Sequence, residues 1–141
     1  MKNKSAGFYM MILTAVLAVI GVVFYLINCN TSYFSNLGVN TGLVACMVIA
    51  VILELVYVFG YKAPVSRVLD LIPVVCGVLM MVAFVLFISV RANSIASILT
   101  FENNAQTMSD LMSAIVGMVF CLLAVTFNIV ASFFKVVKDE K

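Results

Sequence analysis

Residues 42–60 read GLVACMVIAVILELVYVFG, a stretch whose only charge is Glu54. It has the length and polarity of a membrane-spanning helix, for which about 20 mostly apolar residues suffice. Working outward, three more runs match it, at 8–27, 68–90 and 110–135. The expected fold is all-α: one integral membrane domain, 1–141, with four transmembrane helices packed as an antiparallel up-down bundle. Ile95, Ile98 and Leu99 repeat at helical spacing beyond residue 90. The third helix therefore continues toward residue 100, or a separate short helix lies on the membrane surface.

Composition agrees with this assignment. Hydrophobic residues make up 65% of the chain and charged residues 10%, against roughly 25% charged in an average soluble domain. So few charges could not cover the surface of a soluble bundle. A net charge of +2 is no footprint for nucleic acid, and the partner implied first is the lipid bilayer. The first run lacks a small-x-small cleavage site and exceeds a signal-peptide core, so it is expected to stay as a helix.

Cys29, Cys46, Cys76 and Cys121 form no CxxC pair, and histidine is absent. No metal site and no cofactor is expected. Three of the four lie in apolar runs, where a thiol packs as a small group. Cys29 and Cys46 are the pair placed best for a bridge, but free thiols are the expectation given the geometric demands of a disulfide. Asn30-Thr31-Ser32 fits the glycosylation pattern, but its place at the membrane surface favours a polar turn.

Basic residues set the orientation. Lys2 and Lys4 precede the first helix, Lys62 and Arg67 separate the second from the third, and Lys135, Lys138 and Lys141 follow the fourth. Only Arg91 falls on the other side, in the 91–107 connection. The positive-inside rule then places both termini in the cytoplasm of a multi-pass cell-membrane protein. Tyr9 and Tyr25 are spaced for the two interfaces, and Tyr33 and Phe34 are expected at the outer headgroups. Asp70 suits a cap for helix three, with Pro73 in its first turn or kinking it. Thr107-Met108-Ser109-Asp110 resembles a capping box for helix four.

Glu54 opens the question of function. Gly42, Cys46, Ala50 and Glu54 recur every four residues, and Gly117, Cys121, Ala124 and Asn128 do nearly the same in helix four. Small residues in such stripes let helices approach closely in lipid. A charge near the bilayer centre costs roughly 2.5–3.5 kcal/mol, so Glu54 either carries a proton or has a partner. Thr14 and Asn128 fall at similar depth, with Tyr57 one turn from Glu54. They form an expected polar layer, either structural or used for transport. On the outside, Phe101, Glu102, Asn103, Asn104 and Gln106 are the residues suited to bind a ligand, or else a solvated turn.

Size and a single intramembrane glutamate make the chain resemble the small multidrug resistance transporters, although that family places its glutamate in the first helix. The stretches Asn28-Cys29-Asn30-Thr31-Ser32-Tyr33-Phe34 and 100–111 (TFENNAQTMSDL) are similar to a group of small bacterial four-helix membrane proteins without a characterised activity. That resemblance implies a setting beside carbohydrate uptake or breakdown. No nucleophile–base pair or phosphate-binding loop points to an enzyme. Two functions follow as expectations. One is a non-catalytic accessory or scaffold subunit, acting as a homo-oligomer or with a larger membrane protein. The other is a small oligomeric proton- or cation-coupled transporter or channel using Glu54.

Overall fold

The computed structural model describes residues 4–60 and 69–134. It contains four long helices: α1 (Ala6–Cys29), α2 (Thr41–Gly60), α3 (Ile72–Thr100) and α4 (Ala105–Ala131). Single 3-10 turns at Ser35–Leu37 and Leu69–Leu71 precede α2 and α3. No strand occurs among the described residues, and all four helices are long and apolar enough to cross a membrane. Six of the basic residues used for the orientation argument (Lys2, Lys62, Arg67, Lys135, Lys138 and Lys141) lie outside the described residues.

Local chemistry sets the helix ends. Asn40 starts α2 by accepting the Leu43 amide on its side chain at 3.0 Å. Asn104 caps α4. Its side chain accepts from the Thr107 amide at 2.9 Å, and its own amide donates to the Thr107 hydroxyl at 3.1 Å. The capping box thus lies one turn earlier than expected, because Thr107 is the third residue of the helix rather than its cap. Asp70 does not cap α3. It sits in the preceding 3-10 turn, and Leu71 is the cap residue with no side-chain bond. Pro73 lies in the first turn, where no helical amide is missed. Beyond residue 90, α3 runs unbroken to Thr100, so there is no separate surface helix.

The helices form a ring in which α1 lies along α4 and α2, while α3 lies along α2 and α4. Small side chains allow the close approaches. A Cβ added to Gly21 of α1 would stand 2.8 Å from Cys121 Sγ and 3.3 Å from the Cys121 backbone nitrogen. One added to Gly117 would meet the Phe87 ring at 2.8 Å. Ala18, Ala50, Ala83 and Ala124 are fully buried beside Met47, Met80 and Phe87. In lipid, such packing replaces the hydrophobic drive that assembles soluble bundles.

The stripe on α2 is only partly the expected one. Ala50 and Glu54 are fully buried and Cys46 half-buried, but Gly42 is exposed and Leu43 and Met47 take the inner positions. A strict four-residue step advances about 40° past each full turn. Three steps therefore carry Gly42 away from the face that Glu54 occupies. The α4 stripe of Gly117, Cys121, Ala124 and Asn128 is buried throughout.

The end of α1 meets the start of α4, since the Asn28 side chain donates to the Asp110 carbonyl at 3.2 Å and to Ser113 Oγ at 3.0 Å. Arg91 joins them there. From that level α3 continues nine residues to Thr100, about 13 Å of helix. The α3–α4 hairpin thus stands above the point where α1 ends. The loop after α1 returns against its foot, with Phe34 buried between Ile98 and Leu111.

Gly21→Leu should lower the unfolding midpoint in micelles by overpacking α1 on α4, at a cost of about 1–3 kcal/mol. Gly60→Ala, where an added Cβ meets nothing within 4 Å, should leave the midpoint unchanged.

Candidate functional site

Two buried polar clusters lie at opposite ends of the bundle. In the first, Asn128 Nδ2 of α4 reaches Glu54 Oε1 of α2 at 3.5 Å. Glu54 Oε2 is buried with no hydrogen-bond donor among the described residues. A Cβ on Gly77 of α3 would stand 2.6 Å from Asn128 Oδ1, so only glycine lets α3 lie against that amide. Beside it Cys76 Sγ donates to the Ala50 carbonyl at 3.4 Å, tying α3 to α2 at the same level. Of the four residues expected in one layer, Glu54 and Asn128 are in contact, and Tyr57 is buried one turn from Glu54 on α2. Thr14 is also buried, but its hydroxyl donates to the Met10 carbonyl of its own helix at 2.9 Å. An apolar groove of about 350 Å³ between α3 and α4, lined by Pro73, Gly77, Val125 and Ile129, has Asn128 at its side.

The second cluster centres on Arg91. Sequence position placed this residue in the outer connection and left Glu54 as the only buried charge. Arg91 is instead fully buried within α3. Its Nε donates to Asn28 Oδ1 at 2.9 Å and its Nη2 to Cys29 Sγ at 3.1 Å. The guanidinium carbon lies 5.2 Å from the Phe34 ring centre and 5.5 Å from that of Tyr25, within cation–π range. Nη1 has no hydrogen-bond acceptor among the described residues. Guanidinium does not lose its proton in proteins, so these π faces and polar atoms stand in for water. A signal for this lay in the spacing. Cys76, Met80, Ala83 and Phe87 step by fours and threes along the buried face of α3, and one more step of four reaches Arg91.

Tyr25 and Phe34 follow from the same arrangement. Neither is at a lipid interface, since both are fully buried around Arg91. The Tyr25 hydroxyl accepts the Asn40 amide at 2.7 Å and so fixes the approach to α2. Cys29 and Cys46 are not bridged, and all four cysteines are free thiols. Asn30 turns its amide back to the Leu26 carbonyl at 2.8 Å.

No protein-family model, curated protein or solved structure matches this chain.

Of the outer residues expected to bind a ligand, Asn104 is spent on the α4 cap. Gln106 donates to Asp110 Oδ1 at 2.9 Å on its own helix. Phe101 is 86% exposed, and Glu102 and Asn103 are exposed beside it. Asp110 also binds the loop, its Oδ2 accepting the Tyr33 amide at 3.0 Å. Hydrogen bonding to Glu102 holds the Tyr33 phenol above its ordinary pKa, with burial adding to it. Among the described residues no cluster of His, Cys, Asp and Glu is placed to hold a metal ion.

The Arg91 contacts give an ordered expectation. Asn28→Leu leaves a buried charge short of an acceptor and should cost about 3–5 kcal/mol. Arg91→Leu removes that charge and leaves only an amide oxygen unmet, about 1–3 kcal/mol. The double variant should be more stable than Asn28→Leu alone, as read by denaturant unfolding in micelles. For Tyr33, the raised value means the neutral phenol is the form favoured by folding. Its contribution is present below the ordinary tyrosine range and is lost as pH rises through the raised value. The tyrosinate difference spectrum between wild type and Tyr33→Phe should move to lower pH in a Glu102→Gln background.

Proposed function

We propose that this protein is a non-catalytic accessory or scaffold subunit of a membrane assembly. The observation that carries the reading is the use made of its buried polar groups. Arg91 joins α3 to α1, Asn28 joins α1 to α4, and Asn128 joins α4 to α2. Each bond fixes one helix against another, which is how polar groups act as glue within a bilayer. On the outer hairpin, two of the amides that would have recognised a ligand are spent on α4 itself. What remains for a partner is the apolar outside of the bundle, including the groove beside Gly77 and Asn128.

In this reading the helices run up and down, with both termini cytoplasmic. The contact of the α1 end with the α4 start supports the alternation, and the distribution of basic residues supports the direction. The partner is a larger membrane protein or further copies of the chain, and carbohydrate uptake or breakdown is the setting that the resemblance implies.

One observation favours transport as a second reading. Glu54 Oε2 is buried without a donor, and an ionisable side chain within a membrane span is a functional-site candidate by default, ion pathways among them. Intact-mass analysis of the tagged protein, purified from its native membrane in mild detergent, separates the two. A stoichiometric larger subunit is expected for the accessory role, and it should persist in Glu54→Gln. A homo-oligomer whose proton-driven flux in vesicles is abolished by Glu54→Gln would replace that role with transport.

A further inference from the structure

The groove between α3 and α4 has Asn128 at its side. It runs from Pro73 and Ser132, where α3 begins and α4 ends, to Met81 and Val125. Eight steps along α3 cover that distance, about 12 Å. Spread over this length, a volume of about 350 Å³ leaves a mean cross-section of about 30 Å². A helix some 10 Å across needs about 80 Å². The groove is too narrow to seat one, but it has room for a single extended hydrocarbon chain.

Its wall is apolar except at Asn128 and Ser132. Asn128 is 2% exposed, and its Nδ2 is turned to Glu54. That leaves Oδ1 beside Gly77, which also lines the groove. Among the described residues Oδ1 receives no hydrogen bond. The Ser132 hydroxyl, one turn on, spends its proton on the Asn128 backbone carbonyl at 2.8 Å. The two side-chain oxygens of the wall can therefore only accept from an occupant. An acceptor left unmet in hydrocarbon is costly. Glu54 is fully buried and does not line the groove, so an occupant meets an amide oxygen rather than a charge.

We propose that this groove binds one single-chain lipid through a neutral hydroxyl, which donates to Asn128 Oδ1 while the chain lies along Gly77 toward Met81 and Val125. Fatty alcohols and monoacylglycerols carry this chemistry. One placed polar group in an apolar cleft fixes the orientation of what enters it. Gly77 serves the site directly, because a Cβ there would stand 2.6 Å from Oδ1 and cover it. The inference goes beyond the accessory reading, which leaves the groove open to a partner. Here the partner meets it already filled.

Dodecanol and dodecyl methyl ether share a chain, but only the alcohol donates. In micelles of a zwitterionic detergent without O–H or N–H groups, dodecanol should shift the NMR signal of the Asn128 side-chain amide saturably. Half-saturation should come at about fivefold lower mole fraction than with the ether, as one net hydrogen bond gives. Val78→Phe fills the groove from its exposed edge and should abolish saturation. Val85→Phe, similarly exposed on α3 but outside the groove, should keep it. Equal half-saturation for alcohol and ether, or a shift that never saturates with either, would overturn the proposal. So would a Val78→Phe protein that loses a larger subunit on purification from its native membrane, since a polypeptide would then occupy the groove. The accessory role fails by a different result, a wild-type protein that co-purifies with no larger subunit, and the comparison of alcohol and ether is independent of it.

Discussion

A guanidinium that cannot shed its charge, placed where water does not reach, is the constraint around which this fold is organised. Breaking one partner of a buried charge costs about 3–5 kcal/mol, a large part of the stability of a small domain. Arg91 therefore recruits an amide from Asn28, a sulfur from Cys29 and two aromatic faces. Those groups come from α1 and the loop behind it. Asn28 in turn bonds α4. One side chain thus dictates where three helices meet, and the loop must fold back because Phe34 is needed as a wall.

The cluster at the opposite end is looser. Asn128 and Glu54 meet at 3.5 Å, near the limit for a hydrogen bond, and one carboxylate oxygen has no donor. Gly77 keeps the amide in place by offering no Cβ. Along α3, Gly77 and Arg91 are fourteen residues apart, or about 21 Å. The two charges are too far apart to pair with one another, so each half of the bundle handles its own. Each end keeps one unmet polar atom, Arg91 Nη1 and Glu54 Oε2, but Arg91 makes two hydrogen bonds and lies against two aromatic rings, whereas Glu54 has one long bond, and the transport reading therefore attaches to Glu54.

Much of the architecture was legible because lipid imposes length. Runs near 20 apolar residues leave little choice of structure, and the four helices emerge from them directly. The Gly117–Asn128 stripe was legible for a similar reason, since steps of four and three keep to one face. Gly42 was misplaced because repeated steps of four drift around the helix. Arg91 was misplaced for a different reason. At the end of an apolar run, followed by Ala92, Asn93 and Ser94, it looks like the first residue outside the membrane. Its burial depends on Phe34 folding back from a distant loop, and no local pattern records that contact. The same holds for Tyr33 and Asp110, whose bond spans 77 positions of sequence.

The extra length of α3 has a consequence for neighbours. Because α1 ends at the level of Arg91 while α3 and α4 carry on, the molecule has a low side and a high side. A flat-topped companion could press flush against α1 and α2, but on the other flank it would strike the tower. The bundle therefore has a built-in polarity within the membrane plane, like a chair with its back along one edge. An assembly that joins the two flanks head to tail pairs different shapes, and a closed ring of such units carries all its backs facing the same way round.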